Sequence, residues 1–273
     1  MSNSGVAQAR KTSYCAVVLA GERPGGSPLS RTLGLKASVL VDVAGKSALQ
    51  RVMEALSGSK EVSGGLLCGP ASEVYEQTPD FRRILDESPF HWLEPEAGPS
   101  ASAIKAIKAI DHFPVLLTTG DHALLTPELV DSFCQQARAA GGDVVAGLAP
   151  YSIVHAAYPE SKRTVQRYSD GGFCGTNLFV VQNPAGLAAL EFWKSVEAER
   201  KRPWKIAQKL GFMFLLRAAL RKVSLQQTFE QLSKRSGCRV AYVLVNSARA
   251  AVDVDSVADR DLAQSILLNE GGA

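Results

Sequence analysis

The sequence predicts an α/β fold built on a mostly parallel sheet. Three observations carry the prediction. Short apolar runs such as residues 114–119 have no polar alternation, the pattern of strands buried on both faces. Amphipathic helical stretches separate these runs, and strand and helix alternate four times before residue 150. Gly, Pro or acidic turns close the runs. Such alternation implies parallel strands joined by right-handed crossovers. With 273 residues, 46% of them hydrophobic, the chain can bury the core of one large domain.

Residues 1–13 have no apolar signal core and are expected to form a disordered lead to a single domain over 14–273. The first strand is expected at 16–20 and stops at Gly21. A basic loop follows, containing Arg23, Pro24, Gly25, Gly26, Pro28, Arg31 and Lys36. A second apolar run, 39–43, leads through Gly45-Lys46 to a helix with Leu49, Val52, Met53 and Leu56 on one face. Further elements are a strand at 65–68 ending in Gly69-Pro70, a helix around 80–86 and a short strand at 90–93. Gly98-Pro99-Ser100 starts a helix with Ala101, Ile104 and Ile107 at core spacing.

The clearest strand, 114–119, runs into Gly120-Asp121-His122. Thr126-Pro127-Glu128 then supplies an N-cap, a proline at the first helical position and an acidic first turn. That helix runs to Gly141-Gly142 and a strand follows at 143–148. Residues 151–173 break the pattern into polar loop with an antiparallel strand. A strand at 177–181 and a helix at 185–199 resume it. Residues 200–236 are expected to form a helical insertion, with Ser224 and Gln227 as a capping box. Strands at 239–245 and 250–255 and a helix at 259–268 close the chain.

A net charge of +3, without a basic-aromatic run, argues against nucleic acid and suits an anionic small molecule. Five scattered cysteines without a CxxC pair point to a reducing cytoplasm and away from zinc. His91, His112, His122 and His155 form no spaced cluster, and Ser27, Ser30 and Ser38 lack a GxSxG context. The apolar run at 211–216 is too short to span a bilayer. Two readings of its basic surroundings compete. One is an interfacial amphipathic helix in peripheral membrane contact. The other, favoured, is a buried or homodimer-forming helix.

The first loop is neither a GxGxxG fingerprint nor a GxxxxGK[ST] phosphate loop. Its backbone N–H groups at Gly21, Gly25 and Gly26, with Arg23, Arg31 and Lys36 nearby, can cradle an anion; an ordinary solvated loop is the competing reading. Asp121 closes a buried strand, where open α/β sheets bind ligands, and offers a hard oxygen to Mg²⁺; alternatively it only caps a turn. Asp253 and Asp255 share one face of the strand expected at 250–255 and offer a second carboxylate.

In this order, VVLAG, the basic Gly-rich loop, VAGKSALQRVMEAL, TTGDHALLTPELVDSF and VDVDSVADRDLA resemble the MobA-like nucleotidyltransferases. The resemblance covers most of 14–182 and again 239–268. It implies a three-layer α/β/α, Rossmann-like sheet of the nucleotide-diphospho-sugar transferase type. It also implies a nucleoside triphosphate over Leu19, Ala20, Gly21, Gly25 and Gly26, with Gly98, Ser100 and Ser102 toward the base. Gly175 and Asn177 are implied on the acceptor side, and Mg²⁺, with Mn²⁺ as a substitute, on Asp121 and Asp255, with Asp253 as the rival ligand. The implied reaction transfers a nucleoside monophosphate to a phosphorylated small-molecule acceptor and releases pyrophosphate. Arg31, Lys36 and Asp121 are its catalytic residues.

Two departures from the family loop LAGG-x-S-x-R-x-G-x-x-K stand out. Glu22 replaces the second glycine, and an insertion precedes Arg31. Counted back from residues 43–46, the family's lysine position falls on Ser38, so either Lys36 serves or that cation is missing. A metal-dependent glycosyltransferase using a nucleotide-sugar, and a catalytically weak nucleotide-binding protein, are the competing functions.

Overall fold

The protein is described by a computed structural model over residues 13–23, 25–199 and 202–271. All but Ser13 of the expected lead at 1–13 lies outside the described residues. The strands in chain order are β1 (Tyr14–Leu19), β2 (Asp42–Val43), β3 (Lys46–Ser47), β4 (Val62–Cys68) and β5 (Phe90–Leu93). They continue as β6 (Val115–Thr119), β7 (Val144–Pro150), β8 (Gln166–Tyr168), β9 (Gly171–Val181) and β10 (Val240–Leu244). The main sheet has the order β10-β7-β9-β6-β1-β4-β5, with β8 on β9, while β2 and β3 form a separate small hairpin.

Alternate residues of β1 feed two cores, which makes the fold three layers. Ala16 and Val18 pack with Leu49, Val52 and Leu56 of the helix Ala48–Gly58 and with Val130 and Phe133 of the helix Pro127–Ala140. Val17 packs on the opposite face with Ala103, Ala106 and Ile107 of the helix Pro99–Ile110. The helix Leu187–Ala198 lies on that second face too, through Leu187 and Leu190. From β1 the chain builds outward through β4 and β5, then crosses back to place β6 on the other side of β1. The strand order thus reverses between β1 and β6, and the carboxyl ends of strands at such a reversal are where open α/β sheets bind ligands.

The sheet is mixed: β9 runs antiparallel to both β6 and β7, while the β1–β4, β1–β6, β4–β5 and β7–β10 pairs are parallel. The N-cap at Thr126 and the capping box at Ser224 form as their sequences predict. Two of the expected secondary-structure elements differ. The stretch expected as polar loop contains the helix Tyr151–Ala157, whose one buried side chain, Val154, leaves little periodic signal. Residues 250–255 are not a strand. They form the end of a 3₁₀ turn, Ala248–Ala251, and then an extended segment. Val252 and Val254 alternate because they plug a side-chain cluster with Leu29, Val43 and Ala263, not because they join a ladder.

The region expected as a helical insertion holds the helices Pro203–Leu210, Phe212–Ala219 and Leu225–Ser236. A buried position for the apolar stretch is corrected: Phe212, Met213, Leu216 and Leu220 are exposed. No helix among the described residues is long and apolar enough to cross a membrane.

Candidate active site

The first loop and the Gly120-Asp121 turn leave the sheet together. Leu19 is in register with Thr119, and the Gly120 N–H donates to the Leu19 carbonyl oxygen at 2.9 Å. On the other flank, Gly69 comes against the loop's start. Its φ is +104°, and an added Cβ would sit 2.7 Å from Ala20 C and Gly21 N. Only a residue without a side chain lets these segments approach so closely.

Within the loop, Ser27 caps the helix Pro28–Leu33, its Oγ accepting from the Ser30 N–H at 3.0 Å. Arg31 folds back, its Nη1 donating to the carbonyl oxygens of Gly26 at 2.6 Å and Gly25 at 3.2 Å. Its first role is therefore to hold the loop closed. Lys36 is exposed on the same loop. Glu22, standing at the family's second glycine, accepts from the Ser38 N–H at 2.6 Å. It ties the two ends of the loop together at the position where the family carries lysine.

Asp121 has one carboxyl oxygen, Oδ1, buried and without a hydrogen-bond partner. Burial pushes its pKa up to about 7. The Thr119 hydroxyl opposes the rise, and Asp253 and Asp255 add to it. The C-terminal segment is fastened here, since the Val254 N–H donates to the Asp121 carbonyl oxygen at 3.1 Å. With Val252 and Val254 turned into the core, Asp253 and Asp255 face the other way. Asp255 reaches solvent, yet desolvation by its surroundings raises its pKa. Asp253 and Asp259 raise it further, while Arg163 and Arg23 pull it down.

Sequence reading missed Arg163, which is 7% exposed. Its Nη1 pairs with Asp253 Oδ1 at 2.6 Å and its Nη2 with Asp259 Oδ1. A single arginine in a polar loop carries no pattern that marks it. Asn177 joins from β9, its Nδ2 donating to Asp253 Oδ2 at 3.2 Å. A bulge aims it: Ala146 pairs with Phe179 but Leu148 pairs with Gly175, so β9 carries extra residues there, and Asn177 takes a φ of +52°. Gly175 lies on the exposed side of the same bulge.

Gly98 caps the helix Pro99–Ile110. The two serines after it are buried and engaged within the protein. Ser100 Oγ donates to Glu197 Oε2 at 2.5 Å, and Ser102 Oγ accepts from the Glu96 N–H at 2.9 Å. Glu197, also missed by sequence reading, thereby reaches the segment expected to face the base.

Among the described residues, no group of three or more His, Cys, Asp or Glu side chains converges to hold a metal ion by itself. Magnesium at phosphate-transfer sites takes only one or two carboxylates, and water and phosphate oxygens complete its shell. Asp121 and Asp255 suit that demand, and the unbonded Oδ1 is an oxygen such an ion would satisfy.

Residues 16–170, more than half of the chain, match the family described as the MobA-like NTP transferase domain. A hypothetical transferase from Thermus thermophilus is 26% identical, with a TM-score of 0.75 over 91% of this chain and 99% of that one. The 4-diphosphocytidyl-2C-methyl-D-erythritol synthase of Anaerococcus prevotii DSM 20548 is similar in fold, with a TM-score of 0.57 and 11% identity over 94% of this chain and 99% of that one. Molybdopterin-guanine dinucleotide biosynthesis protein A from Archaeoglobus fulgidus is similar too, with a TM-score of 0.51 and 17% identity over 93% and 98%. No curated protein sequence matches the chain.

Proposed function

Because this chain belongs to the MobA-like NTP transferase family and is a nucleotidyltransferase, we propose that it moves a nucleoside monophosphate from a nucleoside triphosphate to a phosphorylated small-molecule acceptor, using Mg²⁺. An oxygen of the acceptor phosphate forms a bond to the α-phosphorus. The bond from that phosphorus to the β-bridging oxygen breaks, and pyrophosphate leaves with the electron pair.

The protein's work is positioning and charge neutralisation. Backbone N–H groups of Gly21 and Gly25 receive phosphate oxygens, in a loop that Arg31 and Glu22 hold in shape, while the Gly26 N–H donates within the loop to the Arg23 carbonyl oxygen at 2.8 Å. The exposed Arg23 and Lys36 face solvent from that loop and meet the leaving pyrophosphate. Asp121 and Asp255 would hold the metal, while Arg163 and Asn177 restrain Asp253 beside them. Bound there, Mg²⁺, or Mn²⁺ in its place, would supply Lewis-acid charge that offsets the charge of the phosphates. On this reading Gly98, with Glu197 bonded to the neighbouring Ser100, serves the base, and Gly175 and Asn177 serve the acceptor.

The single observation that supports this assignment best is the buried, unbonded Oδ1 of Asp121 at the strand-order reversal. The test is pyrophosphate release from each of the four nucleoside triphosphates with Mg²⁺ and a panel of phosphorylated sugars and alditols. Release is expected with one base and to vanish in Asp121→Asn while the fold is retained. Undiminished release by that variant refutes the assignment. Tight triphosphate binding without release across the panel identifies a nucleotide-binding protein instead.

A further inference from the structure

Between Glu199 and Glu230 the sequence holds eight Arg or Lys and no acid. The helices Pro203–Leu210 and Phe212–Ala219 occupy the first part of this stretch and meet at Gly211. On the second helix and at its end, Phe212, Met213, Leu216 and Leu220 follow the spacing of one helical stripe. All four are 45–70% exposed, and Trp204 on the first helix is 59% exposed. Phe214, Leu215 and Ala218, on the opposite side, are half-buried. Of the nine large exposed apolar side chains among the described residues, these five lie within 204–220, which makes a patch and not a scatter.

The charges around the patch select its occupant. Arg217 and Arg221 follow Met213 at helical spacing and border the stripe, with Lys222 beyond them. Lys205 Nζ lies 5.6 Å from the centre of the Trp204 ring and pairs with Glu199 Oε1 at 3.1 Å, so the charge beside the stripe rests on Arg217, Arg221 and Lys222. A twofold contact between two copies would press this basic surface against itself. An anionic bilayer complements it: aromatic rings sit at headgroup depth, aliphatic side chains reach the acyl boundary, and long basic side chains meet lipid phosphates.

The direction of the chain places the patch. Antiparallel β9 delivers the chain to the edge of the sheet opposite Asp121. The helix Leu187–Ala198 carries it back, and Glu197 at its end bonds Ser100 at the start of Pro99–Ile110. The basic helices therefore leave from the nucleotide edge. We propose that the helices Pro203–Leu210 and Phe212–Ala219 dock the protein on an anionic phospholipid surface, with the nucleotide edge turned toward the headgroups. This docking does not depend on which acceptor is used.

The experiment is co-sedimentation of the full chain with vesicles of phosphatidylcholine alone and of phosphatidylcholine with one third phosphatidylglycerol, at low and high salt, beside light scattering of the free protein. Wild type is expected to sediment with the anionic vesicles, more weakly at high salt, and to be monomeric in solution. Phe212→Ser/Leu216→Ser and Arg217→Glu/Arg221→Glu are each expected to lose about ten-fold or more of that binding. Their thermal unfolding should match wild type, since the altered side chains are exposed. Absence of sedimentation with the anionic vesicles overturns the proposal, as does binding that both double variants leave intact. A wild-type dimer that Phe212→Ser/Leu216→Ser converts to monomer, without vesicle binding, assigns the patch to a second copy instead.

Discussion

Asp121 holds a carboxyl oxygen in the protein interior with no hydrogen-bond donor, a costly arrangement for a fold unless a ligand uses it. The cost depends on pH. In the folded chain Asp121 titrates at about 7, against 3.8 for an ordinary aspartate, so between those values the native state holds a proton that the unfolded state has released. The contribution of Asp121 to stability therefore falls as pH rises through that window. Buried His122 runs the other way. Burial lowers its pKa from 6.5 to about 4, so stability is gained as pH rises between those values. The two slopes offset each other, and the informative quantity is the difference between Asp121→Asn and wild type. Urea unfolding should show no difference near pH 4 and an advantage for the variant that grows through pH 7, on the order of a few kcal/mol. The same variant is expected to lose transfer, read as pyrophosphate release. For Arg163, change to Met strips two carboxylates of their partner and should cost about 3 kcal/mol by urea unfolding. Asp121 and Asp255 stand out in sequence because each follows a short apolar pattern. Arg163 does not, since its partner Asp253 is 90 residues away.

At the scale of elements, the loop after β1 is held by packing that no glycine motif announces. Gly69 admits the backbone at Ala20 and Gly21 only because it lacks a Cβ, so Gly69→Ala must move one segment or the other. The expected result is a loss above about 1 kcal/mol in thermal unfolding, with a raised KM for the triphosphate. The bulge in β9 acts similarly on the other flank by turning Asn177 toward Asp253. Strands buried on both faces, the Thr126 cap and the Ser224 capping box were legible because their signals are local. The direction of β9 was not, because the residues of a strand do not say which neighbour they pair with. Nor was the end of the chain, where Val252 and Val254 alternate like a strand while packing into a cluster of side chains.

For the whole molecule, one equilibrium tests the site before any acceptor is known. A ligand that binds only the native state at 100 times its Kd adds about 2.7 kcal/mol of stability. A nucleoside triphosphate with Mg²⁺ is expected to raise the Tm of wild type by a margin that disappears in Asp121→Asn. An equal rise in both would remove Asp121 from the site.

By itself the sequence determined the α/β class, the order of most elements, the family and the basic character of residues 200–222, because each is written in local spacing, composition or motif order. Only the tertiary structure decided which charges meet. Asp253 and Asp255 come beside Asp121 through a backbone bond from Val254, Arg163 bridges Asp253 and Asp259, and Glu22 occupies the end of the loop where lysine was expected. The structure also decided that the stripe from Phe212 to Leu220 is uncovered. The physical reason is common to both. A residue's periodicity states which side of an element is apolar or charged, while what covers that side or neutralises that charge is supplied by chain far away in sequence.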